Sequence, residues 1–452
     1  TPRAYTCGMA AGFQAPKGTR DFLPEDLAQR QWIEDRWRTV STNHGFEEID
    51  GPTFEHLSLY TTKSGDGIVS ELFSFRRSGG DDDYALRPEL TPTVARLAAD
   101  AVRQRPMPLR WFGIGPFFRG ERPQRGRLRE FLQWNADVIG DPSMNAELDL
   151  LGLLAGTLER FGLRPGDVTI RLSHRDAAAS VLQGLGVDED QLHEAFTLLD
   201  RKEKMPPEVF ATKAQPLGLG PDEIAKLDAV LSSSGTTDAL VKTMTGLGLQ
   251  TEGLAPLFDL AAPLRDAGLE EWVTFDPGIV RGLAYYTGTV FEVHECRGAE
   301  RAIAGGGRYD ELIELLGGPK TPACGFAMGD VVLGLVLENL DRLPEGTAIL
   351  PRPDCFVIDA GGRPDAVRQL LRALRGAGLH ARTSVKATRN VGKLLAEASK
   401  NRARFAAILS EEGLDGPIEL KDLESGEQRA VASGELAAVL ATATPSDQST
   451  GS

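Results

Sequence analysis

Apolar and polar positions alternate most sharply between Leu109 and Gly140, in two runs that flank a short arginine-dense segment. In the first run Phe112, Ile114 and Phe118 fall on one face of a period-two strand, and Arg119 shares the other face with Gly113 and Gly115. In the second, Leu132, Trp134, Ala136 and Val138 make an apolar face, while Gln133, Asn135 and Asp137 line the opposite one. Between the runs, Arg119 to Arg129 holds five arginines and one glutamate. The pattern predicts a hairpin whose polar face is a floor for a small polar ligand and whose loop is a clamp for phosphates.

Elsewhere the periodicity is helical. Pro24 suits a first turn, Ile33, Trp37 and Val40 form an apolar stripe, and Gly45 sits where a C-terminal cap would. Phe46 to Ile49 reads as a short strand, Pro92 to Val102 and Ala146 to Phe161 as helices. Arg87, Glu89 and Thr91 stand at strand–helix junction spacing, either as ligand-facing groups or as a capping cluster. Short amphipathic segments joined by Gly, Pro and Ser then predict a small helical module inserted between two halves of one domain. After it, β-patterned text resumes at Trp272. Beyond Asp354 the order becomes strand, helix, strand, helix, strand. Val367, Leu370, Leu371 and Leu374 mark one helix face, and Val391, Leu394, Leu395 and Ala398 another. That alternation predicts a three-layer α/β domain with a largely parallel sheet.

The expected boundaries are a disordered lead over 1–14, a catalytic domain formed by 15–175 and 271–342, and the helical insertion at 176–270. A linker at 343–353, an α/β domain at 354–441 and a disordered tail at 442–452 complete the chain.

Composition narrows the picture. The 452 residues are 41% hydrophobic and 25% charged, ordinary for a globular protein. No apolar run approaches the roughly 18 to 20 residues of a membrane helix, and the first residues have no signal-peptide core. The four scattered cysteines form no C-x-x-C pair, which argues against structural zinc and a disulfide framework. A reduced cytoplasmic setting is expected. The net charge of −15 argues against nucleic acid on average, yet local basic patches can still meet phosphate. Two such patches stand out: the hairpin loop, and Arg382 to Arg404 with seven Lys or Arg against the single Glu397.

The glycines of Ala304 to Leu312 precede no Lys-Ser/Thr, so they are not a P-loop; they read as a close approach to ligand or as a turn. Six isolated histidines support neither a catalytic triad nor a metal pair. What remains is positioning and charge stabilisation, the mode suited to phosphoryl and nucleotidyl transfer.

From Lys17 to Leu440 the chain resembles a class II histidyl-tRNA synthetase. GFEEIDGPTFE (Gly45 to Glu55) looks like the family's first motif, at the dimer interface. FFRGERPQRGRLREFLQWNADVIG (Phe117 to Gly140) looks like the second. RGLAYYTGTVFE (Arg281 to Glu292) and AGGGRYDEL resemble the two histidine-specific motifs. GFAMG (Gly325 to Gly329) begins the third, and the C-terminal domain is similar to the family's anticodon-binding domain. The resemblance implies an α+β class II catalytic domain, an antiparallel sheet with flanking helices, carrying a helical insertion and followed by a C-terminal α/β anticodon-binding domain. It also implies a homodimer that activates L-histidine with ATP and Mg²⁺ and transfers it to histidine tRNA, away from membranes.

Carried over residue by residue, Glu89 and Thr91 would hold the substrate ammonium, with Gln133 nearby. Arg119 would bind the ATP α-phosphate, Glu121 the adenine end and Arg127 the other phosphates, while Phe131 stacks on adenine. Asp137, Tyr285 and Tyr286 would read the imidazole, and Arg281 would neutralise charge during attack. No metal-ligating residue is expected, since the histidines are isolated and the cysteines scattered. Gln133 and Asp137, with Cα atoms roughly 13 Å apart, can address both ends of an amino acid.

Three positions depart from the family pattern. Val332 stands where the third motif carries an arginine for the γ-phosphate, Ala284 where Asp is usual, and Asp137 where Glu is usual. Loss of that arginine removes a charged contact worth ~1.5–3 kcal/mol, so another basic group or a metal-bound water is expected to reach the γ-phosphate. The alternative is a catalytically silent paralogue, such as the regulatory subunit of ATP phosphoribosyltransferase.

Overall fold

Pro24 opens the first helix, Pro24–Asn43, where its missing N–H would be unpaired in any case. Gly45, at φ +78°, turns the chain out of it. The computed structural model describes residues 13–64, 69, 71–200, 202, 205–279 and 286–443. Contacts divide the chain into two units, Thr1–Gly346 and Thr347–Ser452.

The strands of the first unit are β1 (Glu47–Glu48), β2 (Phe54–His56), β3 (Ser74–Arg76), β4 (Asp83–Leu86), β5 (Leu109–Phe118) and β6 (Glu130–Ile139). They continue as β7 (Val168–His174), β8 (Val273–Phe275), β9 (Thr289–Glu295), β10 (Ala304–Arg308) and β11 (Ala323–Gly329). Eight of them form one sheet in the order β1-β5-β6-β11-β10-β9-β7-β8, and β2, β4 and β3 form a small second sheet. The large sheet is antiparallel except for the outer pairs β1 with β5 and β7 with β8. Between β7 and β8 the chain is helical, from Arg175–Gly184 to Ala255–Asp266.

One face of the large sheet is closed by the helices Pro24–Asn43 and Asn145–Arg160. Trp37 stacks on Trp134 with ring centroids 5.9 Å apart, and its indole N–H donates to Met328 Sδ at 3.3 Å. All three side chains are buried.

Two expectations need correcting in this unit. The glycines of Ala304–Arg308 form no turn; they are strand β10, inside the sheet between β9 and β11. A Cβ on Gly306 would lie 2.1 Å from the Gly325 carbonyl oxygen, and one on Gly307 2.5 Å from that of Thr289. Close packing of neighbouring strands demands glycine at these two positions. Nor is the Gly113 and Gly115 face of β5 open: a Cβ on Gly113 would lie 2.7 Å from Leu90 Cδ2.

The second unit holds β12 (Cys355–Asp359), β13 (Ala381–Thr383), β14 (Phe405–Leu409), β15 (Ile418–Asp422) and β16 (Gln428–Val431), in the order β13-β12-β14-β15-β16. Its first three strands are parallel, but β15 and β16 run antiparallel. The reason is connection length: residues 410–417 and 423–427 are too few for the dozen or more that a parallel crossover takes. Val367, Leu370, Leu371 and Leu374 pack on one face of this sheet, and Leu394 and Ala398 on the other.

Candidate active site

Residues directly opposite one another in a sheet share a face. Asp137 of β6 lies between Trp111 of β5 and Gly325 of β11, Asn135 between Gly113 and Ala327, and Gln133 between Gly115 and Gly329. The polar stripe of β6 therefore runs between lanes made mostly of small residues. A Cβ at Gly325 would lie 1.9 Å from Asp137 Oδ1, so the glycine leaves the room that the carboxylate occupies.

At one end of the stripe, Asp137 is 2% exposed. Tyr309 donates its hydroxyl to Asp137 Oδ1 at 2.5 Å. Burial pushes the Asp137 carboxyl up to about 7, and the tyrosine hydrogen bond pulls only part of the way back. Tyr286 is buried, its ring against Gly307, where a Cβ would meet Cδ1 at 2.9 Å. Its carbonyl accepts from Arg175 Nη1 at 2.8 Å. Gln133 and Asn135 are buried too, and Gln133 Oε1 and Asn135 Oδ1 have no hydrogen-bond partner among the described residues. Buried amide oxygens are normally paired, which marks this floor as built for a polar ligand.

Arg87 overturns the capping reading of its cluster. It is 1% exposed and lies over Gly115, whose Cβ would fall 2.1 Å from Nη2. It donates to the Pro116 carbonyl at 2.9 Å, to Asp50 Oδ1 at 2.8 Å and to the Gly51 carbonyl at 2.9 Å. The following helix, Thr91–Ala101, starts behind Leu90 with no side-chain cap. Arg87 thus fixes the turn that presents Glu89 and Thr91. Both are partly buried, and neither side chain has a hydrogen bond or ion pair among the described residues.

The same turn reaches the loop. Arg119 Nε donates to the Pro88 carbonyl at 3.2 Å, and its guanidinium lies 5.2 Å from the Phe131 ring centroid. Arg127 pairs with Glu121 at 2.6 Å. Gln124 and Arg127 exchange backbone hydrogen bonds of 3.0 and 2.9 Å around Gly126, whose φ is +72°. Arg119 and Phe131 therefore share one edge of the floor, with Glu121 and Arg127 above it in the loop. This arrangement offers a stacking surface, several cations and a protected polar floor.

Below the loop, Asp330 accepts from the Leu132 backbone N–H at 2.9 Å and from Arg20 Nη2 at 2.6 Å. Arg308, beside the glycines, points to the opposite face of the sheet and pairs with Glu147 through hydrogen bonds of 2.7 and 2.5 Å. Its role there is to tie a helix to the sheet. Arg281 and Tyr285 lie outside the described residues. Sequence reasoning missed Tyr309 as the partner of Asp137. Its signal was the alternation of Gly305, Gly307 and Tyr309, which continues the face of β10 that meets Gly325 and Ala327.

Comparison with known proteins places the arrangement. A family model described as histidyl-tRNA synthetase matches residues 18–330, and one described as anticodon binding domain matches residues 354–442. A histidine–tRNA ligase of Opitutus terrae is 39% identical over 427 residues, covering 91% of this chain and 94% of that protein. A chloroplastic/mitochondrial histidine–tRNA ligase of Arabidopsis thaliana is 38% identical, covering 91% of this chain and 84% of that one. The crystal structure of a histidyl-tRNA synthetase from Nostoc superposes with a TM-score of 0.75 at 26% identity, covering 96% of this chain and 100% of that one.

Proposed function

The chain belongs to the histidyl-tRNA synthetase family, and from that premise we propose how its own residues join histidine to tRNA. It is a histidine–tRNA ligase, an aminoacyl-tRNA synthetase of class II, with ATP as substrate. The alternative of a silent regulatory paralogue is not favoured, since the curated relatives carry the ligase name and the anticodon-binding match is present.

In the first step the histidine carboxylate attacks the ATP α-phosphate in line, giving histidyl-adenylate and pyrophosphate. In the second, a terminal ribose hydroxyl of the tRNA attacks the adenylate carbonyl, forming the histidyl ester as the bond to phosphate breaks and AMP leaves. Neither step needs a protein nucleophile, so the protein supplies position and charge. Asp137, with Tyr309 behind it, accepts the imidazole N–H, and Tyr285 and Tyr286 complete the pocket. A neutral imidazole has one N–H and one bare nitrogen, so an analogue lacking them would leave buried groups unpaired. Glu89, Thr91 and Gln133 hold the ammonium. Phe131 stacks on adenine beside Glu121, Arg127 meets the outer phosphates, and Arg119 and Arg281 stabilise charge on the α-phosphate.

Mg²⁺ favours phosphate oxygens and waters with one or two carboxylates over a protein cage. Among the described residues no group of three or more His, Cys, Asp or Glu could hold a metal ion. A cation that arrives on the ATP phosphates and neutralises them is part of the proposal.

A homodimer is part of the proposal, through the first motif and the small sheet beside it. There Phe54 and Phe75 remain 49% and 44% exposed, and Phe54 packs edge-on against both Phe75 and Tyr84. Exposed aromatic clusters of this kind favour a protein partner. No helix among the described residues is long and apolar enough to cross a membrane, and a cytoplasmic place of work completes the reading.

The observation that carries the proposal is the buried polar stripe of β6, set beside small residues and under an arginine loop. Its test is histidine-dependent ATP–pyrophosphate exchange followed by charging of histidine tRNA. Histidine binding without exchange at any ATP concentration would overturn it.

A further inference from the structure

The helix Asp330–Asn339 presents Val332 where the family pattern has a cation. Beside it stands an arginine that the mechanism above does not use. A Cβ at Gly126, on the tip of the arginine loop, would lie 3.4 Å from Val332 Cγ2 and 3.7 Å from Arg301 Cδ. The Arg301 side chain therefore runs past the loop tip next to the valine.

Its placement is built. Glu300, the preceding residue, accepts from Arg125 Nε at 3.0 Å and from Asn339 Nδ2 at 3.3 Å. One carboxylate, its side chain only 3% exposed, thus gathers the loop tip, the segment before β10 and the helix that carries Val332. Within this group Arg125 is answered by Glu300 and Arg127 by Glu121. Arg301 has no hydrogen bond or ion pair to another described residue, yet it lies close enough to Arg127 to feel its charge. Partial desolvation and that neighbouring cation push the Arg301 guanidinium down, with Glu121 opposing them. Two guanidinium groups held side by side invite an anion between them.

We propose that Arg301 binds the terminal phosphate of ATP, standing in for the arginine absent at Val332. The inference rests on the ligase reading given above. A planar guanidinium can grip two phosphate oxygens at once. The phosphates it meets leave as pyrophosphate, so Arg301 contributes to ATP binding and not to holding the adenylate.

The test is pyrophosphate exchange by the full chain with Arg301→Ala. The KM for ATP is expected to rise roughly 10- to 100-fold, the value of one charged hydrogen-bond pair. The KM for histidine and the affinity for a non-hydrolysable histidyl-adenylate analogue stay at wild-type values, and Arg301→Lys recovers part of the loss. The melting temperature is also expected to hold, because Arg301 is exposed. An unchanged KM for ATP overturns the inference, as does an equal loss toward the adenylate analogue. Absence of exchange in the wild-type protein would instead overturn the ligase reading.

Discussion

The two ends of the trough solve recognition by opposite means. At the Asp137 end the groups are buried, and a tyrosine hydroxyl at 2.5 Å fixes the carboxyl. At the loop end Arg125 and Arg127 are about half and one-third exposed, each already holding a glutamate. A buried polar group left unpaired is heavily penalised, so the first end discriminates by hydrogen-bond fit. The guanidinium groups of the second end are partly solvated, although their glutamates are only 3% and 21% exposed, so phosphate can reach them. In the proposed function, one end reads identity and the other collects charge.

This contrast can be broken experimentally. The largest effect is expected for Asp137→Ala: kcat/KM for histidine in pyrophosphate exchange should fall about 10³-fold or more, with the KM for ATP unmoved. A drop below tenfold would mean that the stripe does not read the imidazole. Next, Arg119→Ala should lower kcat of exchange roughly 10²–10³-fold, the usual cost of losing a group aimed at developing charge. Rapid-quench measurement of adenylate formation checks this, and a change confined to KM would assign Arg119 to binding alone.

A third effect concerns stability. Folded Asp137 titrates at about 7, above the roughly 3.9 of an unfolded aspartate. Between these values the folded state holds the extra proton, so stability falls as pH rises from about 4 and levels off above about 7. Asp137→Asn removes this titration, and its melting temperature should gain on the wild type across that window. A constant offset at every pH would show that the carboxyl does not titrate there. Smallest of all, Glu121→Gln weakens the partner of the partly exposed Arg127 and should move the KM for ATP by less than about fivefold. A larger shift, measured at fixed ionic strength, would make the loop end as exacting as the buried one.

The hairpin was legible because period-two alternation survives burial on both faces: Gln133, Asn135 and Asp137 share one side of β6, as their spacing predicts. Helix ends were legible where local chemistry decides them, as at Pro24 and Gly45. Legibility ended where distant segments meet. Arg87 reads as a cap until Gly115, 28 positions along, is seen beneath its guanidinium. The glycines of β10 look like a loop because nothing local tells that β9 and β11 press on them from both sides. The family pattern pointed to Val332 as a missing cation, but only tertiary contact brings Arg301 to it.

The β10 glycines also carry a consequence for the gene. A glycine codon keeps its meaning only while its first two bases are unchanged, and every substitution there adds at least a methyl group. At Gly306 that methyl would lie 2.1 Å from one backbone oxygen, and at Gly307 2.5 Å from another. These two adjacent codons thus have almost no tolerated neighbours in sequence space, because the obstacle to each is neighbouring backbone. Inherited variation should be scarcer there than at many positions that touch substrate.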